Sequence, residues 1–248
     1  MERNSLFRKH KYIRAERFVP NGMLGAVDQA RRHAGRAAQA ARNDHAILAA
    51  ARAVFVADPT APIAAVAERA GVGISALYRR YPSKDDLLRT LCLDGQRTYL
   101  AIVRKAAADR GDPGLAYETF LREVVAADTH ALTSRLAGRF TPSAENFLLA
   151  DEMEALTVDV FERAQRAGAI RPDVTVWDVG HLFELFSWLK LGDAARTDEL
   201  RQRYLTLLID GLRTGVPSPL PGTPVRVEEL NERWVPAAGS GVTLAPAS

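Results

Sequence analysis

The sequence contains a single cysteine, Cys92, in 248 residues. One cysteine excludes an internal disulfide framework and any zinc site that needs several cysteine ligands. Two interpretations of Cys92 remain open: a small buried apolar side chain, which we favour, and a redox-sensitive thiol. Long apolar runs are also lacking. Because no stretch approaches eighteen uninterrupted apolar residues, a membrane span is not expected.

An apolar secretory segment is lacking near the N-terminus, where charged residues interrupt every apolar run. We therefore expect a cytoplasmic protein. No segment shows the strict apolar–polar alternation of a half-buried strand. After Arg42 the apolar residues recur at helical spacing, and turn-forming residues divide the chain into about nine helices. The expected fold class is all-α.

Signatures of catalysis are absent too. The sequence has no glycine-rich phosphate loop and no serine or cysteine elbow with a paired histidine, and its five histidines are scattered. His181 and Glu184 fall on one helix face but supply only two ligands, so no metal site is predicted. An enzyme is disfavoured, and no cofactor is expected.

Charge is distributed unevenly along the chain. Residues 1–110 contain 20 Lys and Arg against 10 Asp and Glu, whereas residues 111–248 contain 13 against 20. A polyanion would be attracted to the first part and repelled by the second. This charge distribution is expected of a nucleic-acid-binding region coupled to a region with another function. We interpret residues 1–41 as a basic, partly disordered arm, helical in part from Met23 onward, that adds to DNA binding. The alternative is that residues 1–22 are an upstream extension irrelevant to function.

The segment 63–88 predicts a helix-turn-helix. Its first helix is expected to begin at Pro62, which suits a first turn, and to end at Gly71, which suits a left-handed cap. Three residues separate this helix from the next. In the second helix Ile74 and Leu77 are expected to face inward. The remaining small, phenolic and cationic residues suit a DNA major groove: Ser75, Ala76, Tyr78, Arg79, Arg80 and Tyr81.

The next helix begins with a recognisable cap. Ser83 can accept a hydrogen bond from the backbone of Asp86, and Asp86 can complete a reciprocal box. Free N–H groups at this helix start, with Lys84 beside them, can hold a DNA phosphate. Simple capping is the equally favoured alternative.

The same segment resembles the DNA-binding domain of TetR-family regulators. The residues that carry the resemblance are Ala67, Ala70-Gly71-Val72, Ala76-Leu77-Tyr78, Tyr81-Pro82-Ser83-Lys84 and Leu87-Leu88. The resemblance implies DNA contacts from Ser75, Ala76, Tyr78, Arg80 and Lys84, and core positions for Phe55, Val66 and Leu77. Two positions depart from the family pattern, Gly73 where serine is frequent and Ala61-Pro62 where threonine or serine is common.

Two later passages, 168–173 and 204–211, resemble the C-terminal part of that family. This resemblance implies a domain that binds a small apolar effector. Aromatic and flexible residues at helical spacing can line its pocket, although each is more simply a core residue. The candidates are Tyr99, Tyr117, Phe120, Phe147, Met153 and Phe183.

The last helix is apolar on two sides and therefore needs two partners. One partner is its own core, and the other is most simply the same helix of a second subunit, in a four-helix interface that includes the helix containing Trp177 to Leu191. The expected homodimer interface consists of Trp188, Leu200, Tyr204, Leu208 and Gly211.

These features predict a sequence-specific DNA-binding transcriptional regulator, most simply a repressor that a small molecule releases from its operator. The expected domains are an arm at 1–41, a helix-turn-helix at 42–88, an effector and dimerisation domain at 89–215 and a proline-rich tail at 216–248 that is mostly extended or disordered. The alternative is an architectural protein that binds nucleic acid non-specifically through the basic arm, with a steep salt dependence.

Overall fold

The computed structural model describes residues 39, 42–213, 215 and 218–231. The basic arm, apart from residue 39, and most of the expected tail lie outside this set. Within it there are ten helices and no strand, which confirms the all-α class. The helices are α1 (42–57), α2 (Ile63–Ala70), α3 (Ile74–Arg80), α4 (Lys84–Ala108), α5 (Pro113–Ala127), α6 (Thr129–Leu136), α7 (Ala144–Arg166), α8 (Val176–Trp188), α9 (Ala194–Leu212) and α10 (Val227–Asn231).

Two clusters of buried side chains organise the part of the chain from residue 46 onward. The first joins α1, α2, α3 and the start of α4 with the end of α6. Phe55, Val66 and Leu77 are fully buried in it, which confirms their predicted core positions. The second cluster, the rear core, joins the later part of α4 with α5, α7, α8 and α9. Because α4 contributes to both clusters, it fixes the helix-turn-helix to the rear core.

Local capping chemistry sets several helix boundaries. Gly71 ends α2 with φ 66° and ψ 30°, the left-handed conformation predicted for it. Ser83 accepts from the backbone N–H of Asp86 at the start of α4, and the Asp86 carboxylate accepts from the Ser83 hydroxyl at 2.7 Å. Pro62 precedes α2 as its N-cap residue, one position before the expected first turn.

One expectation from the sequence was wrong in detail. Ile74 does not face inward: its side chain is 41% exposed, because the short α3 turns Leu77 and Tyr81 toward the core instead. Within the described part of the expected tail, the short helix α10 follows a loop whose Val225 N–H donates to the Asp178 carboxylate at 3.1 Å.

Cys92 is half-buried beside Asn146, and burial raises the pKa of its thiol to about 11. A thiol with that pKa stays protonated near neutral pH and is a poor nucleophile. This environment favours the apolar interpretation of Cys92. Among the described residues, no helix is long and apolar enough to cross a membrane.

Candidate nucleic-acid interface

The outer surface of α3 is cationic. Leu77 is fully buried and anchors the helix to α1 and α2, so the opposite side faces solvent. Ala76 is half-buried there, and the helix has no acidic residue. The exposed predicted contact residues are Ser75, Tyr78, Arg79 and Arg80. Such a surface offers donors to guanine acceptors and apolar groups to thymine methyls.

Tyr81 does not belong to that outer surface, contrary to the expectation from the sequence. Only 3% of it is exposed, because it lies one helical turn after the buried Leu77 and packs into the same cluster. The guanidinium carbon of Arg80 lies 5.4 Å from the centroid of its ring. The buried Tyr81 ring therefore packs against the guanidinium group of Arg80.

Lys84 stands at the start of α4, but its ammonium group faces the loop between α1 and α2. The Nζ atom donates to the carbonyl oxygens of Ala61, Thr60 and Pro59, at 2.7, 3.2 and 3.4 Å. It also lies 5.0 Å from the centroid of the Phe55 ring. Burial lowers the pKa of Lys84. All three ammonium protons thus have acceptors within the protein.

Carboxylates occupy the first turn of α4. Asp85 and Asp86 both pair with Arg89, and the Arg89 Nη1 atom lies 2.7 Å from the Asp86 carboxylate. Hydrogen bonds from Ser83 and Arg89 lower the pKa of Asp86. These negative charges already complement the positive end of the helix dipole, so they weaken its attraction for an added phosphate.

The predicted effector-pocket residues do not form a pocket together. Four of them are buried in the rear core as packed rings, with Tyr99 and Phe120 in edge contact at 5.8 Å between centroids. Met153 packs against this core, whereas Phe147 is 59% exposed on α7. A cavity of about 420 Å³ lies instead between the start of α5, residues 169–170 and the end of α9. Of the six predicted residues, only Tyr117 lines it.

The residues predicted to form the dimer interface differ in how exposed they are. Leu200 is buried within the protomer, while Tyr204, Gly211 and Trp188 are exposed and Leu208 is half-buried. The guanidinium carbon of Arg135 lies 4.1 Å from the centroid of the Trp188 ring. Three further exposed apolar residues on α8, on α9 and in the loop between them were not named individually among the predicted interface residues: Leu185, Leu191 and Leu207. The signal for Leu207 was available in the sequence, since Leu207 lies three residues after Tyr204 on the same face of α9.

An all-α protein whose buried helix-turn-helix core presents two arginines outward from its second helix is a helix-turn-helix DNA-binding regulator. Family models agree. Residues 47–91 match the model described as bacterial regulatory proteins, tetR family, and residues 112–214 match that of the SbtR-like transcriptional regulator C-terminal domain. The chain belongs to the TetR family of transcriptional regulators.

Proteins similar to this chain fit this assignment. The chain is 29% identical over 182 residues to the HTH-type transcriptional repressor LfrR of Mycolicibacterium smegmatis, covering 71% of this chain and 90% of LfrR. A crystal structure of LfrR from Mycobacterium smegmatis in complex with proflavine matches with a TM-score of 0.50 at 22% identity, covering 73% of this chain and 99% of that one. PfmR from Thermus thermophilus matches with a TM-score of 0.53 at 20% identity, over 67% and 98% of the two chains. The two solved structures support the fold.

Proposed function

We propose that the protein is a homodimeric repressor that binds an operator through α3 and leaves it when a small molecule binds the rear domain. In this proposal residues 42–88 bind DNA, and residues 89–215 bind the effector and dimerise. The observation that carries the proposal is the outward cationic side of α3 on a well-packed helix-turn-helix. The repressor LfrR, a relative of the chain, supports the sign of regulation.

Within the operator complex, the outer residues of α3 divide by chemistry. Arg79 and Arg80 have the forked donors that recognise guanine, and Ala76 offers a methyl group for thymine contact. The exposed Ile74 extends the apolar part of this surface. Ser75 and the Tyr78 hydroxyl are short donors for phosphate or base edges. Lys84 reaches a phosphate only if its bonds to the α1–α2 loop are given up.

The dimer supplies the second recognition helix. A two-fold pair of helix-turn-helix units reads half-sites about 34 Å apart. Exposed apolar residues on α9, Tyr204 and Leu207, are suited to an interface between identical subunits. A change of Leu207 to Glu should give the mass of a monomer in light scattering, while the same change at the exposed Leu148 of α7 should leave the dimer intact.

Release from the operator follows from a population shift. The effector must bind the dimer conformation that does not fit DNA more tightly than the one that does. The proflavine complex of LfrR shows that a relative accommodates a small aromatic molecule. We infer that this chain also has a small-molecule effector, and the sequence predicts an apolar one.

A mobility-shift titration tests the DNA-binding proposal. The wild-type protein is titrated against the intergenic duplex beside its own gene and against a scrambled duplex. Arg80→Ala should cost about 1–3 kcal/mol on the intergenic duplex and far less on the scrambled one. Arg110→Ala, at an exposed arginine after α4, is the matched control and should bind like the wild type. Equal wild-type affinity for both duplexes, with a steep salt dependence, would instead establish the architectural alternative.

A further inference from the structure

The cavity of about 420 Å³ has an apolar floor and a polar rim. Leu121, Ile170, Ile209 and Leu212 form the floor, and all four side chains are buried. Its volume lies within the range of about 300–1,000 Å³ that is typical of small-molecule sites. The two ends of the cavity are held together by the backbone, since the Arg171 N–H donates to the carbonyl oxygen of Leu212 at 2.8 Å.

Tyr117 lines this cavity with a polar group that the protein does not use. Only 3% of the residue is exposed, and its ring packs against Phe120 and Phe161. No hydrogen bond joins its hydroxyl to any residue in the part of the chain that the structure describes. Burial raises the pKa of Tyr117 well above its usual value, so the phenol stays neutral. The hydroxyl is not sealed from solvent and so opens onto the cavity that the residue lines, whereas the hydroxyl of Tyr99, the neighbouring phenol, bonds Thr157 at 2.9 Å.

The charged groups at the rim already have hydrogen-bonding partners. The Glu118 carboxylate accepts from Arg122 at 2.8 Å and from Arg213 at 3.2 Å, and the Arg122 hydrogen bond lowers its pKa. Asp112 accepts from the Leu115 N–H at 2.7 Å and so caps α5. A charged ligand would have to displace these partners, whereas a neutral one would not.

We propose that this cavity binds a neutral, largely apolar small molecule that carries one hydrogen-bonding group for the Tyr117 hydroxyl. The apolar floor takes up the body of the ligand, and the phenol selects its polar atom. The further step, that this ligand is the effector, rests on the function proposed above. The site differs from the packed aromatic cluster of Tyr99, Phe120 and Phe183, which leaves no comparable space.

A fluorescence titration with the neutral dye Nile red tests the site. The dye is apolar, has a carbonyl acceptor and brightens when it leaves water. Tyr117→Phe removes only the hydroxyl and should weaken binding about 2- to 10-fold, the usual range for one hydrogen bond. Ile209→Trp fills part of the cavity and should weaken binding by about tenfold or more. The anionic dye anilinonaphthalene sulfonate should bind more weakly than Nile red.

The matched control is Tyr99→Phe, which removes a buried phenolic hydroxyl of the same core that does not line the cavity. It should leave Nile red affinity unchanged. Thermal unfolding adds a second readout, because Tyr99→Phe breaks a hydrogen bond and should lower Tm, whereas Tyr117→Phe breaks none and should not. Wild-type affinity in Tyr117→Phe, or a loss confined to Leu207→Glu on the exposed α9 face, would overturn the proposal.

The outcome for the cavity is separable from the outcome for the regulator. Each variant is also titrated against the intergenic duplex without dye. A protein that binds this duplex specifically but does not bind Nile red refutes the cavity proposal and leaves the DNA-binding function standing. A protein that binds Nile red as expected but shows no preference between duplexes refutes the proposed regulatory function and leaves the cavity proposal standing.

Discussion

The Arg201 guanidinium of α9 lies 3.2 Å from the carboxylate of Asp128, the residue with φ 49° that ends α5. The same guanidinium donates to the carbonyl oxygens of Phe186 and Ser187 at the end of α8, at 3.1 and 3.3 Å. The backbone carbonyl of Asp128 accepts in turn from Arg52 of α1 at 3.5 Å. A polar connection therefore runs from α8 and α9 through the α5–α6 junction to the helix-turn-helix.

Arg201→Met should destabilise the protein by about 2–4 kcal/mol. The Arg201 side chain is only 7% exposed, and its loss leaves a carboxylate and two carbonyl groups without their donor. Burial already raises the pKa of Asp128, so this carboxylate depends on its partner. Urea unfolding measures the change. The control is Arg196→Met, whose exposed pair with Glu199 should matter by less than about 1 kcal/mol. Equal losses in both variants would contradict the structural role.

Lys84→Met should lower stability, because three carbonyl oxygens of the α1–α2 loop lose their shared donor. We expect a loss of about 1–3 kcal/mol in urea unfolding. If Lys84 also contacts a phosphate, the variant will in addition reduce the salt slope of DNA binding by about one. Lys105→Met, at an exposed lysine of α4, is the control for charge removal. Unchanged stability with a reduced salt slope would make Lys84 a phosphate contact alone.

Gly71→Ala should cost about 1–2 kcal/mol, since an alanine at φ 66° is strained even though no atom lies within 4 Å of its added methyl group. Gly73 is the matched comparison. It lies two residues later, also has open space around it, and has φ −66°. Gly73→Ala strains no backbone angle and loses only the modest N-cap preference of glycine over alanine at the start of α3, so it should cost less than Gly71→Ala. Thermal unfolding of both variants checks the difference, and a similar Tm for the two would show that backbone conformation is not what Gly71 provides.

Local features of this fold were predictable because they depend on neighbours in the chain. The Gly71 cap, the Ser83 cap and the helical periodicity follow from residues within four positions of one another. The outward positions of Arg79 and Arg80 follow in the same way from the burial of Leu77. Such features identified the class of protein without reference to tertiary structure.

Features that depend on distant packing were not predictable in this way. The acceptors of Lys84 lie 23 to 25 residues earlier in the chain. The sequence alone therefore did not show that Lys84 binds the carbonyl groups of the α1–α2 loop. The cavity draws its walls from residues 112–121, 169–170 and 209–213, which only the tertiary fold brings together. Aromatic composition alone directed attention to the packed rings, and Tyr117 is the one residue common to both sets.

The stability of the protein should fall between neutral and mildly acidic pH because of His130. Its ring packs in the rear core, with centroids 4.9 Å from Phe183 and 5.7 Å from Tyr99. Burial lowers its pKa from 6.5 to about 4, against the opposing effect of the nearby Glu184 carboxylate. The unfolded chain takes up a proton below 6.5 that the folded protein refuses, so this contribution is complete above 6.5 and is lost as pH falls toward 4.

The measurement is urea unfolding at about pH 7.5 and about pH 5, where His130 should account for a loss of about 1–2 kcal/mol. His130→Gln removes the titrating group and should flatten this part of the pH dependence. His181→Gln, at an exposed histidine of α8, is the control and should retain the wild-type slope. Parallel curves for the wild type and His130→Gln would show that another group causes the acid sensitivity. A flattened curve in that variant alone would establish that the rear core holds a neutral imidazole, whose protonation loosens the packing between α6 and α8.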